Sequence, residues 1–407
     1  MADITAYGEI GKSSGPYPGT STSIQFDDIN PIWGPDGRTI AFERIYKGGA
    51  IKNGIYLFDI IYKGGSVIPV CESSIFSIAL DEGTSKKDFY SSYFCWINIG
   101  TNEKGYPTYR YVYSKLPALY VGQVSMDPTI PPVESPYVST GSSLNKYPDY
   151  SSKHGMITFV SGVTGGGDVY AKKYDDSFLS AQSKVVLDPG IRLTNTDVLE
   201  LSPRWSPDGE SIAYSSFSSK QGNMAICVVS NVLVRELRKT KQLTNSDLEE
   251  TIPTWSPDGK MVAFYSLRSK NSIDEKDIFD ICVVDVDKGP ESVRVVAQNV
   301  YRQEQRGPVW MKLPDKSIIY TSDDYKEIHV VNVYSSGQNI MSIKNLSGYK
   351  YGNITDLDCM FKQGAVGEIW LVYSALNKNG QKRLYWATLA PKTWDIRREY
   401  TESILRD

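Results

Sequence analysis

The pentapeptide Trp-Ser-Pro-Asp-Gly stands at 205–209 and again at 255–259, and a near copy, Trp-Gly-Pro-Asp-Gly, stands at 33–37. A recurrence of this kind constrains the fold more than any other feature of the chain. Longer lines align around it: INPIWGPDGRTIAFER (29–44), LSPRWSPDGESIAYSS (201–216), IPTWSPDGKMVAFYS (252–266) and RGPVWMKLPDKSIIYTS (306–322). Weaker copies begin at 93, 146 and 357. Their anchors, Trp33, Trp96, Tyr150, Trp205, Trp255, Trp310 and Met360, lie about 50 to 63 residues apart and mark seven units. Within a unit a short strand ends at the anchor, a turn follows, and three further Val-, Ile-, Tyr- and Phe-rich strands are cut by Gly, Pro, Asn and Asp. The third strands share a slot filled in turn by Tyr56, Tyr120, Tyr170, Cys227, Cys282, His329 and Tyr385. No stretch carries a capped helical period. The nearest, NVLVRELRKTKQ (231–242), reads as a strand hairpin. Four short antiparallel strands per unit and a period near fifty predict an all-β fold, a β-propeller of seven blades, with six as the alternative.

The motif's own residues read as structure. Pro fixes φ at the first turn position, Asp bonds its own backbone, and Gly supplies positive φ, so Asp36, Asp208 and Asp258 are expected to turn the chain. The Trp before each is expected to pack between neighbouring blades.

The pattern Pro-x-Trp-Ser-Pro-Asp-Gly, the strand that follows it and the preceding LTNTD (193–197) and LTNSD (243–247) resemble the TolB-type, WD-repeat-like propeller repeat. The resemblance covers roughly 28–400 and implies the fold far more than a function. TolB-type propellers usually have six blades, and the family's amino-terminal α/β domain has no counterpart here. The expected organisation is an extended arm over 1–27, Gly-, Ser-, Thr- and Pro-rich from 11 to 23, followed by the propeller over 28–407. Such an arm is ordered only where something pins it, either the propeller's own flank or a neighbouring subunit. The neighbour is the expectation taken.

The 44 basic and 47 acidic residues leave a net charge of −3, which argues against a nucleic-acid partner held through phosphates. No run is long enough to span a membrane. The amino terminus lacks the basic start and apolar core of a signal peptide, so the chain is expected to be cytoplasmic, virion-associated, or exported with its signal removed. Five cysteines, Cys71, Cys95, Cys227, Cys282 and Cys359, show no CxxC spacing and read as reduced, buried thiols.

Only two histidines are present, His154 in a turn position and His329 in the third-strand slot, so no nucleophile–histidine arrangement is expected. GKSSG (11–15) matches a nucleophile elbow in letters but lies in the arm, and TGGGD (164–168) reads as a loop. Carboxylates are the remaining candidates. Asp197, Glu200, Asp247, Glu249 and Glu250 enter blades four and five and could line a channel mouth or hold Ca²⁺, as could Asp274, Glu275, Asp277 and Asp280. A solvated acidic rim is the plainer reading, and no cofactor is expected. Tyr7, Tyr17, Tyr46, Tyr106, Tyr109, Tyr137, Tyr301, Tyr325, Tyr349 and Tyr351 read as loop tyrosines. With Arg268 and Arg302, some of them, Tyr46 and Tyr301 above all, are candidates for binding protein or glycan. The function expected first is a non-catalytic scaffold, a subunit of an envelope machine or virus-like particle that binds protein partners or copies of itself. The alternatives are a glycan-binding propeller, with or without Ca²⁺, and a carboxylate-based glycan hydrolase or lyase.

Overall fold

The computed structural model describes residues 4–9, 25–47, 53–59, 61–62, 69–70, 75–80, 93–127, 129–142, 144–180, 188–270, 277–303, 305–311, 316–334, 340–343, 353–362, 368–376 and 380–389. Those residues form seven four-stranded antiparallel sheets and one two-stranded hairpin, with a single four-residue helix. The fold is a seven-bladed β-propeller. Blades 1, 6 and 7 make one compact unit, and blades 2 to 5 make another. Among the described residues no helix is long and apolar enough to cross a membrane.

Blade 4 shows the plan. Its strands are Glu200–Trp205, Ser211–Ser218, Asn223–Ser230 and Lys239–Gln242, hydrogen-bonded in that order. The stretch 231–242 is therefore no hairpin. Residues 231–234 turn, Arg235–Leu237 form one 3-10 turn, and only Lys239–Gln242 extend as the fourth strand.

Strand register explains the slot that counts the blades. In each blade the slot residue pairs with an aromatic on the second strand: Phe42 with Tyr56, Tyr113 with Tyr120, Phe159 with Tyr170, Tyr214 with Cys227, Phe264 with Cys282, Tyr320 with His329 and Tyr373 with Tyr385. Tyr320 and His329 stack with ring centroids 5.3 Å apart, and Tyr373 and Tyr385 stack at 5.9 Å. His329 is a packed strand residue.

A second repeat is visible only in the backbone. Three residues before each anchor the chain takes a left-handed conformation, at Asn30, Tyr93, Tyr147, Ser202, Ile252, Gly307 and Asp356. In five blades this coincides with a β-bulge in the first strand. Proline follows at positions 31, 148, 203, 253 and 308, where the sheet edge requires no donor. Counting back from Asp356 corrects one anchor. The seventh is Cys359, which pairs with Leu371 as Trp33 pairs with Ile40, and not Met360.

The anchors fill blade seams. Trp205 packs with Met156, Val169 and Ala171 of blade 3 and with Ile212 and Tyr214 of its own blade. Trp33 packs with Trp370, Val372 and Trp386 of blade 7, its ring 6.4 Å from that of Trp370. An inward carboxylate fixes each of these two seams. Asp149 accepts the Trp205 amide at 2.8 Å, and Asp358 accepts the Trp33 amide at 2.9 Å.

Blade 7 takes its fourth strand from the start of the chain. Ile4–Glu9 pairs antiparallel with Lys382–Leu389. This part of the arm is thus held by the propeller's own flank, not by a neighbouring subunit.

Candidate functional site

The repeated Asp is a turn residue in every copy. In blade 4 the Gly209 amide donates to the Ser206 carbonyl at 2.9 Å, and Asp208 Oδ1 accepts from Ser206 Oγ and from the Glu210 amide. Blade 5 repeats these bonds with Ser256, Asp258 and Gly259. Blade 1 has Gly34 where the others have Ser, and Asp36 takes over the bond that the serine hydroxyl makes elsewhere, accepting from the Thr39 amide at 3.1 Å. The same turn recurs at Ser322–Glu327, with Tyr325 at φ 60° in the glycine place. All these carboxylates are occupied by local backbone.

The loops at the opposite end of the strands differ in character. LTNTDVLE and LTNSDLEE connect blade 3 to blade 4 and blade 4 to blade 5, and each closes on a buried glutamate. Glu200 is 0 % exposed. It accepts from the Val169 amide at 3.1 Å, from Thr196 Oγ1 at 3.1 Å and from Thr194 Oγ1, while Thr194 itself accepts from the Val169 amide. Glu250 accepts from Ser246 Oγ at 2.7 Å, and Thr244 accepts from the Ile226 amide at 2.9 Å. Glu200 therefore latches its loop directly to the third strand of blade 3, whereas in the next loop Thr244 makes the bond to the third strand of blade 4 and Glu250 braces the loop through Ser246. Two of the five candidate carboxylates are latches, because the loop backbone turns them inward.

Burial outweighs those donors and pushes the Glu200 carboxyl up to about 7; Glu250 is raised for the same reason. The folded chain then holds these protons more tightly than the unfolded chain, whose glutamates titrate near 4.5. Their contribution to stability is complete below that value, falls as the pH rises through about 7, and is flat above. We expect the unfolding free energy to drop by on the order of 2–3 kcal/mol between pH 4.5 and 7. The double substitution Glu200→Gln/Glu250→Gln is expected to flatten that drop. Denaturant titrations across the range test it, and an equal slope in both proteins would reject the latch.

The latches hold exposed residues in place. Asp197 and Asp247 are exposed and Glu249 is half-buried. Beside them stand apolar groups that sequence reasoning missed: Leu199 is 41 % exposed, Phe217 40 % and Leu248 39 %. Each loop is bonded to the strand ends beside it. The Phe217 amide donates to the Leu199 carbonyl, Asn223 Nδ2 reaches the Ser246 carbonyl, and the Leu267 amide donates to the Glu249 carbonyl. A Cβ on Gly166 would lie 3.2 Å from the backbone at Asp197 and Val198, so the 162–167 loop packs here too. The signal that could have found them was a large apolar residue in a loop otherwise made of Asn, Asp, Ser and Thr.

The other candidates are scattered. Tyr46, Tyr109 and Tyr137 are strand residues, each at most 4 % exposed, and not loop residues. Tyr106 is 43 % exposed. Tyr7 lies in the strand Ile4–Glu9, while Tyr17, Tyr349 and Tyr351 lie outside the described residues. Tyr301 and Tyr325 do meet, their rings 5.1 Å apart, with Tyr301 Oη donating to Asp356 at 3.2 Å; Arg302 follows, half-buried. Arg268 faces Asp280 at 3.6 Å, and Asp277 is exposed. Asp274 and Glu275 lie outside the described residues. Among the described residues no three His, Cys, Asp or Glu side chains come together to hold a metal ion. Cys95, Cys227, Cys282 and Cys359 are free thiols, the first three pushed up to about 12 by burial; Cys71 lies outside the described residues.

His154 keeps its turn position, but a residue there that would ordinarily be exposed is largely covered. Its ring lies 6.4 Å from that of Trp205 with Nε2 3.7 Å from Glu210, and its side chain is 19 % exposed. A Cβ placed on Gly209 would lie 2.9 Å from Ser151 Oγ and 3.1 Å from His154 Nε2, so these two atoms face a shared space.

No family model matches the chain, and no curated protein matches it. Solved structures do. A puromycin-hydrolysing peptidase from Mycobacterium tuberculosis is similar over 90 % of this chain and 51 % of its own, at 10 % identity and a TM-score of 0.58. A puromycin hydrolase is similar over 88 % of this chain and 51 % of its own, at 13 % identity and a TM-score of 0.56. TolB from Acinetobacter baumannii is similar over 87 % of this chain and 64 % of its own, at 13 % identity and a TM-score of 0.40. The chain spans about half the length of the two hydrolases. At these identities the likeness is one of fold, and membership of the TolB-type repeat family remains a resemblance. The expectation of a non-enzyme is corrected by the two hydrolases, since proteins that hydrolyse puromycin share this architecture.

Proposed function

We propose that the chain is a protein-docking platform whose partners seat on the loop face of blades 3 to 5. The observation that carries this reading is the row of exposed apolar groups, Leu199, Phe217 and Leu248, on loops held rigid from beneath by Glu200 and Glu250. Exposed apolar side chains ringed by carboxylates suit a surface that excludes water on contact, and fixed loops lose little freedom when a partner binds. A photo-crosslinker at Phe217 is expected to capture a partner from the native source, and one at Tyr334, exposed in the other unit, is not. Phe217→Asp should weaken that partner's binding at least tenfold, in the range of a central contact residue, while the melting temperature moves little. Equal capture at both positions, or unchanged binding by the variant, would refute the reading.

A second reading follows from the hydrolase likeness together with the placement of Ser151 and His154 beside Gly209. In that reading the propeller serves hydrolysis, with Ser151 and His154 at the reacting bond. The same imidazole nitrogen that faces Ser151 also approaches Glu210, so the carboxylate does not take the second nitrogen as in a triad. Incubation with puromycin decides it. Release of the free amino acid, lost in Ser151→Ala, favours hydrolysis, and no release removes this reading.

A further inference from the structure

We propose that this chain stacks head to tail on copies of itself through blade 4, the carboxylate-rimmed loop face of one copy seating on the basic turn face of the next. The inference rests on the docking reading above and names the partner as a second copy of this chain.

Blade 4 is exposed and apolar at both ends. Its first strand begins at Glu200, beside the loop face, and ends at Trp205, beside the Ser206–Gly209 turn. Its third strand ends at Ser230 on the turn side, and the loop that follows is fastened there by the Val232 amide, which donates to the Glu210 carbonyl at 3.2 Å. That loop exposes Leu233, Val234 and Leu237, the last at 56 %. Its 3-10 turn is closed by the Leu237 amide on the Val234 carbonyl at 3.0 Å. Arg238 ties it down through the carbonyls of Val232 and Arg192, and Lys241 through those of Val286 and Asp287. Three large apolar groups within five residues, on a loop bonded this firmly, form a preorganised contact surface.

The two ends carry opposite charge. On the turn face of blade 4, Arg235, Arg238, Lys239 and Lys241, with Lys153 beside them on Glu210, outnumber Asp208, Glu210 and Glu236. The loop face has Asp197, Asp247 and Glu249 against Lys220. A symmetric dimer through either face would set like charges against each other. Loop face against turn face pairs opposite charges around two apolar centres. Such a contact joins different surfaces of the two copies, so it leaves a free face at each end and extends into a ring or a filament.

Sedimentation velocity of the full chain tests this over about 1 to 100 µM, a range suited to a contact of modest area. Mass is expected to rise beyond the dimer with concentration and to fall back at high salt. Leu237→Asp and Phe217→Asp are each expected to be monomeric, with melting curves checked, and Leu248→Asp replaces the latter if it unfolds. The two variants mixed should form a dimer and nothing larger, since one retains an intact loop face and the other an intact turn face. A wild-type chain that stays monomeric at every concentration overturns the proposal, as does an assembling wild type whose mixed variants form no dimer. If the wild type is monomeric while Phe217 still crosslinks a different protein, the stack falls and the docking platform stands.

Discussion

Trp205→Ala is expected to lower the unfolding free energy by about 3 to 5 kcal/mol, the largest loss foreseen for a single side chain. The indole bridges blades 3 and 4, and its removal opens a hole between Met156, Val169 and Tyr214 that neither sheet can close alone. His154, which packs on the indole edge, loses its support as well. Asp149 keeps its bond, because it accepts the backbone amide of residue 205 and not the ring. The loss should therefore appear as lost packing, with the strand still registered. Denaturant unfolding measures it, and a cost below about 1 kcal/mol would show that the anchor is not a seam residue.

Removing residues 1–9 is expected to do comparable damage by another route. The strand Ile4–Glu9 pairs residue by residue with Trp386, Ala387 and their neighbours, and without it the third strand of blade 7 presents a bare edge. Leu384, Tyr385 and Trp386, buried on that third strand, would then sit on the open edge itself. On the order of 3 kcal/mol or more should be lost, with aggregation on heating as chains pair through the open edge. A synthetic peptide of residues 1–12 added in trans should raise the melting temperature again by strand addition. A truncated chain that melts with the full-length one would reject this account.

The blades were legible in the sequence because turn chemistry and cross-strand pairing are local. Pro-Asp-Gly fixes a turn wherever it stands, and a residue opposite an aromatic must be something that packs on it, so Tyr, Cys and His share one slot. Cys359 was misplaced by one position because the left-handed residue that sets the register has no consistent side chain, being Asn in blade 1, Tyr in blade 2 and Asp in blade 7. Strand pairing between residues 4–9 and 382–389 joins distant segments and leaves no local trace. In the candidate site, composition singled out the loops before blades 4 and 5. It could not separate Asp197 from Glu200, three residues apart, because exposure there depends on which way the loop backbone turns. Leu199 and Phe217 were passed over because each adjoins a strand, and a strand end offers no sign of which face its side chain takes.

The late closure of blade 7 also bears on the order of assembly. Residues 4–9 are made long before residues 382–389 and have no partner strand until those appear. Six sheets are built from segments close in sequence and can form as they emerge, but the seventh waits until residues 382–389 are made. Contacts of such long range form slowly, so completing this sheet is the natural last step of folding. Until then the newborn protein carries an unpaired strand, which a chaperone or a neighbouring nascent copy can meet.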